Sequence, residues 1–427
     1  MPGNLAFPGG KLEPEDDPGR DGAFERCASR ELFEETGLSV PVAAWRAAGE
    51  RTTPPIFPVR FRTLFFVAEL PAGAALPKVP PAPAELETLE VADPRAVLLD
   101  WEAGRALVPP PLLPILRAMT NLTATGIDEL AATIERVNRD EHACPRIEFV
   151  SGIWVLPVRT RTLPPASCTN VWMPGGRRFV VIDPGCGERE EIARLLSVIA
   201  KRAATGATVE AVVLSHHHRD HVTGAGAVAA ALGVPVLAHE ETLARIPALP
   251  REVVTRPLAD GDTLDLDGMS LTAIHTPGHA PGHLAFFDAL RRVLIAGDLV
   301  SGLSTILVGF AESDMDDYLD ALRRVSELGP DTVLPSHGPP LPGKSLAATI
   351  AHRGVREAKV LAALADGTPR ALHAIAEAAY ADTPEAPSFL REMQTRSHLA
   401  RLIRQGRVAR SGESYRGIGI PGISSLS

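Results

Sequence analysis

The chain has 427 residues, of which 45% are hydrophobic and 22% are charged, and its net charge is −9. A chain of this length is longer than one hydrophobic core usually spans, so it predicts about three domains. The acidic balance argues against a protein that binds nucleic acid over its whole surface, and no stretch approaches the roughly 20 consecutive apolar residues that a membrane-spanning helix needs.

Cysteine usage and the N terminus indicate a compartment. The cysteines show no CxxC spacing, which argues against both a disulfide framework and a thiolate zinc finger; they are Cys27, Cys144, Cys168 and Cys186. The first residues lack the basic and then apolar pattern of a signal peptide. We therefore expect a cytoplasmic protein without a membrane partner, and the sequence leaves the oligomeric state open.

The first stretch with a chemical pattern is RELFEETGL, at residues 30–38. On a helix, its glutamates Glu31, Glu34 and Glu35 fall at i, i+3 and i+4 and share one face. Carboxylates this close repel each other unless a divalent cation offsets their charge, and oxygen ligands suit Mg²⁺. A solvated acidic helix face is the alternative explanation.

Together with FPGGK at residues 7–11, this stretch resembles the nudix box, and residues 53–71 resemble the coenzyme A diphosphatase branch of the nudix family. Asp16 or Asp17 in effect replaces the first glutamate of the box, and the double glycine lies very near the first residue. We therefore expect residues 1–120 to form a nudix-like domain that is incomplete at its N terminus and non-catalytic. Mg²⁺ is the cofactor that its glutamates would hold.

A helical pattern at 126–138 predicts a linker helix within residues 121–145, and residues 146–345 then repeat one arrangement. In each repeat an apolar, β-branched strand runs into a short polar loop, and helical stretches alternate with the strands. Loops that follow strands present side chains from a rigid scaffold. The polar loops are SHHHRDH at 215–221, HTPGH at 275–279, AGD at 296–298 and PSHG at 335–338.

These loops contain the residue types that bind catalytic zinc, namely histidine and aspartate. A single histidine at a strand end is more often a satisfied polar side chain, and a histidine-rich run can be a nonspecific metal-binding tract. Neither explanation accounts for three later strands that also end in histidine or aspartate beside glycine. The candidate ligands are enough for two metal ions bridged by a carboxylate and a hydroxide: His216, His218, Asp220, His221, His279, Asp298 and His337.

The order H-x-H-x-D-H, then a lone His, a lone Asp and a final His, resembles the metallo-β-lactamase fold superfamily. VVIDPG at 180–185 resembles the D-x-G turn that precedes the motif in those proteins. The resemblance implies an α/β fold, a four-layer αββα sandwich with two zinc ions along one edge. It implies that the first zinc is held by His216, His218 and His279, and the second by Asp220, His221 and His337, with Asp298 bridging.

The chemistry implied by this resemblance is hydrolysis by a metal-bound hydroxide, because zinc lowers the pKa of its bound water from about 15.7 to about 7. Asp220 or Asp298 would orient the nucleophile. His283 would either donate to the substrate or leaving group, as a catalytic residue, or hold a ligand through a hydrogen bond. His217 and His275 are expected to be exposed and uninvolved.

The C-terminal part, residues 346–427, contains three helical stretches followed by RVARSGESYRGIG at 407–419, which predicts a hairpin and a winged-helix-like domain. TNVW at 169–172 and the helix at 351–364 resemble the lactamase-like endoribonuclease family, which carries such a domain. The same branch is similar to thioesterases that release acyl chains from carrier proteins.

Three functions remain open from the sequence. Seven arginines between 391 and 416, against Glu392 and Glu413, narrowly favour a phosphodiesterase acting on single-stranded RNA, whose binding would weaken steeply with salt. The first alternative is hydrolysis of a thioester, in a small-molecule substrate such as an acyl-CoA or in an acyl-carrier substrate. The second is a binding protein whose inactive nudix-like domain senses a nucleotide.

Overall fold

The computed structural model of the protein describes residues 5–53, 56, 59–70, 73–74, 89–102, 106, 108–109, 111–120, 126–142 and 147–418. The chain divides into two compact units, Met1–Val155 and Leu156–Ser427. Within the described ranges no helix is both long and apolar enough to cross a membrane. Cys27, Cys168 and Cys186 are free thiols, and Cys144 lies outside the described residues.

The described residues of the first unit form a short antiparallel sheet and four α-helices: β1 (Arg46–Thr52), β2 (Arg62–Val67), α1 (Ala23–Thr36), α2 (Pro94–Glu102), α3 (Leu112–Thr120) and α4 (Ile127–His142). Apolar residues at helical spacing on α4, including Ile134, pack into a core with Trp101 and Leu113. The Asn138 side chain donates to the carbonyl of Ala48, 2.9 Å away, which ties α4 to β1.

The predicted helix of the glutamate pattern is present as α1. It ends at Gly37, whose φ of 71° is left-handed and whose N–H bonds to the carbonyl of Phe33. Glycine adopts this conformation without steric cost, which explains why the helix stops there.

The second unit contains the predicted α/β sandwich, which is built on two large sheets. The first sheet runs in the order β4 (Ile153–Arg159), β5 (Cys168–Pro174), β6 (Arg178–Ile182), β7 (Thr208–Val213), β8 (Val236–Ala238), β9 (Thr255–Pro257), and β3 (Ile147–Val150) pairs with β4 near the boundary between the units. The second runs in the order β10 (Thr263–Asp265), β11 (Ser270–His275), β12 (Leu284–Asp288), β13 (Val293–Gly297), β14 (Thr332–Pro335), β15 (Leu341–Pro342).

Helices cover the sheets of this unit: α5 (Arg189–Ala203), α6 (Arg219–Val222), α7 (Ala225–Leu232), α8 (Glu240–Leu243) and α9 (Met315–Glu327). Helix α9 places Leu322 and its neighbours at helical spacing against Phe287 and Leu294 of the second sheet. Its N-terminus is capped by Asp314, whose side chain accepts from the backbone N–H of Asp316 at 2.7 Å.

The C-terminal elements belong to this second unit: α10 (Ser345–Ala362), β16 (Arg370–Ala371), α11 (Leu372–Ala379), α12 (Ser388–Arg404), β17 (Val408–Ser411) and β18 (Ser414–Gly417). The strands form a small antiparallel sheet in the order β16-β18-β17. Val360, Ile375 and Leu399, one from each helix, meet in a common core with Val408. The structure thus contains the three helices and the hairpin that the sequence predicts, and their classification as a winged helix stays a prediction.

Candidate metal centre

The candidate ligands lie at the ends of strands, as the sequence predicts. Residues 215–221 follow β7 and lead into α6, His279 follows β11, Asp298 follows β13 and His337 follows β14. The structure brings all seven candidate ligands together in groups whose ligand atoms lie within 4.8 Å of one another. The rigid sheets therefore hold side chains that are more than 120 residues apart in the chain within one site.

Three imidazoles form the first group. Nδ1 of His218 lies 3.0 Å from Nε2 of His216 and 2.9 Å from Nε2 of His279. Burial and the neighbouring imidazoles hold the pKa of His216 well below its usual value and lower the pKa of His218 to about 3. Nδ1 of His279 bonds to the carbonyl of Leu307 at 2.8 Å, so this nitrogen carries the proton and Nε2 keeps its lone pair. Neutral imidazoles whose nitrogens converge in this way are suited to bind one cation.

Two histidines and two aspartates form the second group. Nε2 of His337 lies 3.5 Å from an oxygen of Asp220 and 3.5 Å from Oδ1 of Asp298. Nε2 of His221 lies 3.8 Å from Asp220 and 3.6 Å from Oδ2 of Asp298. The same Oδ2 is 3.6 Å from Nε2 of His279, a member of the first group. Asp298 therefore lies between the two groups, where a bridging ligand would be.

Outer hydrogen bonds orient the ligands of the second group. Nδ1 of His221 donates to Oδ2 of Asp183 at 2.9 Å, and Nδ1 of His337 donates to the carbonyl of Cys168 at 2.9 Å. Asp183 also accepts from the N–H of Ser215 at 2.7 Å and from its hydroxyl at 2.5 Å. Each histidine is left with Nε2 as its available nitrogen, which is how metal-binding histidines are usually oriented. Asp183 lies in the D-x-G turn at 180–185, a motif that by itself does not indicate which side chain the aspartate would contact.

The charges of the second group are balanced internally. Burial alone would lower the pKa of His337, but the carboxylates of Asp298 and Asp220 outweigh it and raise that pKa to about 10. Burial alone would raise the pKa of Asp298, yet the adjacent His337 and His221 hold it well below the usual value. Burial alone would likewise raise the pKa of Asp220, but His221 and His337 lower it below its usual value, so both aspartates are ionised at neutral pH.

A divalent metal pair fits these residues. Nε2 of His221 and Oδ1 of Asp298 are buried and have no hydrogen-bond partner within the described part of the chain. A buried polar atom in this state is costly unless a cation binds it. The donor set of imidazole nitrogens and carboxylate oxygens is the one that zinc and related transition metals prefer.

His283 is better placed to hold Asp298 than to contact a substrate. Its side chain is fully buried, its Nε2 accepts from the backbone N–H of Asp298 at 3.0 Å, and its Nδ1 lies 2.8 Å from the hydroxyl of Thr276. A Cβ at Gly297, where φ is +54°, would lie only 2.5 Å from this Nε2. The geometry thus favours a His283 that holds a ligand through a hydrogen bond over a His283 that donates to the substrate or leaving group.

The expectation that His217 and His275 are exposed is wrong, because both are partly buried. Nε2 of His217 lies 3.4 Å from an oxygen of Glu312, and that oxygen is 3.6 Å from Nε2 of His218. His275 stacks on His239 with ring centroids 4.3 Å apart. Glu312 carried no signal in the sequence, since it stands outside every motif.

In the first unit two glutamates of α1, Glu31 and Glu34, pair with Arg30. Its guanidinium lies 2.9 Å from Glu31 and 3.0 Å from Glu34, and it also pairs with the buried Asp16 at 2.9 Å. Oε2 of Glu35 accepts from the backbone N–H of Gly9 at 3.0 Å. Of the two residues expected to replace the first glutamate of the box, Asp16 is thus the one that pairs with Arg30. Within the described ranges these glutamates form no group of three with ligand atoms inside 4.8 Å.

Comparison with protein families identifies the domains that carry these features. The profile of the Metallo-beta-lactamase superfamily matches residues 161–337, which include all seven candidate ligands, and that of the NUDIX domain matches residues 1–109. The chain carries a metallo-β-lactamase domain. This domain is a hydrolase of that superfamily, and its fold implies that it binds divalent metal; a NUDIX domain lies at the N-terminal end of the chain.

Individual proteins resemble this chain over part of its length. A Beta-lactamase-like protein 2 homolog of Drosophila melanogaster is 27% identical over 57% of this chain and 86% of its own length. An Atrochrysone carboxyl ACP thioesterase of Passalora fulva is 28% identical over 47% of this chain and 58% of its own. A metallo-beta-lactamase family protein of Thermus thermophilus has a solved structure, with 25% identity and a TM-score of 0.52 over 62% of this chain and 99% of that protein.

Proposed function

We propose that the second unit is a dinuclear zinc hydrolase. The observation that carries the proposal is the position of Asp298, whose Oδ2 is 3.6 Å from both His221 of one ligand group and His279 of the other. The first ion would be held by His216, His218 and His279, and the second by Asp220, His221 and His337. Bound zinc supplies a hydroxide nucleophile at neutral pH and an electrophile for the oxygen that becomes negative.

The protein's own residues would orient the reacting groups. Asp220 and Asp298 are ionised at neutral pH, so either carboxylate can accept a hydrogen bond from the attacking water and fix its direction. His283 acts indirectly, because its hydrogen bond to the backbone of Asp298 holds that residue in place. Phe310 forms an apolar wall, with its ring 4.8 Å from that of His218 and 6.2 Å from that of His279.

For the substrate we propose a thioester, an acyl-CoA or an acyl carrier. The apolar ring of Phe310 beside the first ligand group would suit an acyl chain. A relative named for thioesterase activity on an acyl carrier protein, at 28% identity, supports the same chemistry. The resemblance of residues 53–71 to coenzyme A diphosphatases gives a CoA-linked ligand a second source of support.

Charge pairing in the C-terminal elements removes part of the support for RNA. Arg401 pairs with Asp316 at 2.6 Å and Glu357 at 2.7 Å, and Arg404 pairs with Asp316 at 2.6 Å. Arg391 pairs with Glu377 at 2.8 Å. The side chains of these three arginines therefore form ion pairs with acidic residues of the same unit.

Single-stranded RNA remains the second candidate because other arginines of this region are open to solvent. Arg396, Arg410 and Arg416 are exposed and form no ion pair within the described residues. Such side chains could contact phosphates, and this contribution would be lost steeply as salt rises.

The test begins with untagged protein purified without added metal. We expect about two zinc ions per chain, release of free thiol from an acyl-CoA, and loss of turnover in His218→Ala and Asp298→Ala. His373→Ala is the matched control, since His373 is exposed and lies in the C-terminal elements. Cleavage of a fluorescent single-stranded RNA without thiol release would assign the phosphodiester instead. Protein that takes up no metal would refute the dinuclear centre.

We propose that the NUDIX domain binds a ligand without hydrolysing it. Pairing of Arg30 with Glu31 and Glu34 supports this, because a cation would have to compete with the guanidinium for those carboxylates. If Mg²⁺ binds there, the glutamates of α1 are its ligands. The check is incubation of the whole chain with CoA and Mg²⁺: we expect CoA to stay intact, and release of phosphopantetheine would show that the domain is catalytic.

A further inference from the structure

One peptide bond connects the first ligand group to the C-terminal helices. The carbonyl of Leu307 accepts from Nδ1 of His279 at 2.8 Å. The N–H at the other end of the same peptide, that of Val308, donates to Oε1 of Gln394 on α12 at 3.0 Å. Because a peptide group is planar and rigid, an acceptor that fixes its N–H also fixes the direction of its carbonyl. Hydrogen bonding at the N–H also polarises the carbonyl and strengthens it as an acceptor.

Gln394 is buried and oriented for this contact. Only 7% of it is exposed, and its Nε2 has no hydrogen-bond partner within the described residues. The bond to Val308 is therefore what fixes the orientation of the amide. A buried amide in which only the oxygen has a hydrogen-bond partner is hard to explain as simple packing. An apolar side chain would fill the same space at a lower cost in free energy, because it has no polar atom to remove from water.

The segment that contains this peptide is held on both sides. A Cβ at Gly309 would lie 2.9 Å from the carbonyl oxygen of Met393, so α12 approaches the segment as closely as glycine allows. Arg353 of α10 donates to the carbonyl of Ile306. On the other side the hydroxyl of Ser313 donates to the backbone carbonyl of His279 at 2.9 Å. Both the ring and the backbone of His279 thus depend on residues 306–313.

We infer that Gln394 is a positioning residue for His279, through which the C-terminal helices set the affinity of the first metal position. The inference rests on the proposed metal centre. It gives helices α10 and α12 a role at the site whatever the substrate is. Without the acceptor, the 307–308 peptide can rotate and the tautomer and direction of the His279 ring are no longer fixed.

The experiment measures zinc affinity by competition with a chromophoric chelator in two backgrounds. His337→Ala cripples the second position and reports on the first, and His279→Ala does the reverse. Gln394→Met removes the acceptor while keeping the length of the side chain. We expect about a tenfold loss of zinc affinity at the first position, the lower end of what outer hydrogen bonds to metal ligands contribute, and no change at the second.

Two further variants separate positioning from folding. Gln394→Glu keeps an oxygen that accepts from Val308 and should restore the affinity of the first position. Ala400→Leu places a leucine on the exposed side of the same helix and should change neither position. Equal losses at both positions, or no loss at either, would overturn the inference while wild-type zinc uptake still upheld the metal centre. Wild-type protein that binds no zinc would overturn both.

Discussion

The hydrogen bond between Asp183 and His221 gives the sharpest test of the second ligand group. In Asp183→Asn, Oδ1 can still accept from the N–H of Ser215, but an amide nitrogen replaces the oxygen that faces Nδ1 of His221. The ring can restore a hydrogen bond only by moving its proton to Nε2, and Nε2 is then unable to bind metal. Asparagine tolerates the φ of 54° at this position, so the backbone should not change.

The expected size of the effect follows from the bonds that are lost. Oδ2 of Asp183 accepts from both the Ser215 hydroxyl and His221. The new amide can donate to the hydroxyl, which leaves one charge-assisted bond lost, or about 1.5–3 kcal/mol in the free energy of unfolding. Outer-ligand changes lower metal affinity about 10–100-fold, which corresponds to about 1.4–2.7 kcal/mol.

The assay is chelator competition for zinc, together with thermal unfolding of the metal-free protein. Asp267→Asn is the matched control, because Asp267 also has a positive φ, 58°, but is exposed. We expect this control to match wild type in both measurements. Should Asp183→Asn bind both zinc ions as tightly as wild type, the assignment of Asp183 as the group that orients His221 would be refuted.

Three other predictions follow from buried contacts. Zinc binding at pH 7.5 should release a proton, because neighbouring carboxylates raise the pKa of His337 to about 10 in the metal-free protein. Calorimetry in buffers of different ionisation enthalpy measures this release, and a binding heat that does not depend on the buffer would contradict it. Gly297→Ala should destabilise the fold by about 2–4 kcal/mol from a strained φ and the clash with His283, and an unchanged denaturant midpoint would count against it. The hydrogen bond from Arg30 lowers the pKa of Asp16 from 3.8. The stability that the ionised Asp16 contributes is therefore present above that value and is lost as the pH falls through the folded pKa. Asp16→Ala should be less stable than wild type at pH 7 by about 1–3 kcal/mol, and melting curves of the two proteins from pH 7 to pH 2 should converge at the acid end.

The seven candidate ligands could be found in the sequence because their signal is local. His216, His218 and His221 sit within one loop after a strand, and each later candidate ends an apolar strand beside glycine. The strand pattern predicts where each loop begins, and the residue type predicts what it can bind. Helix α1 was likewise predictable, since its glutamate spacing and terminal glycine are both short-range features.

The partners of these residues could not be found in this way. His337 depends on the carbonyl of Cys168, which is 169 residues away, and the peptide behind His279 depends on Gln394, 86 residues beyond Val308. A backbone carbonyl has no side-chain identity, and a glutamine in a polar helix gives no sign that it is buried. Only the folded chain brings these groups within hydrogen-bond distance.

The arginines of the C-terminal elements show the same division. The sequence by itself determined a local excess of positive charge, because between 391 and 416 it contains only Glu392 and Glu413 as acids. The tertiary structure decided that Arg401 and Arg404 pair with Asp316, a residue of α9 more than 80 positions earlier. The sequence thus determined the secondary structure and the types of side chain that could bind metal, since both can be inferred from residues that are close together in the chain. Charge pairing and ligand orientation depend on packing between distant elements, so the tertiary structure alone decided them.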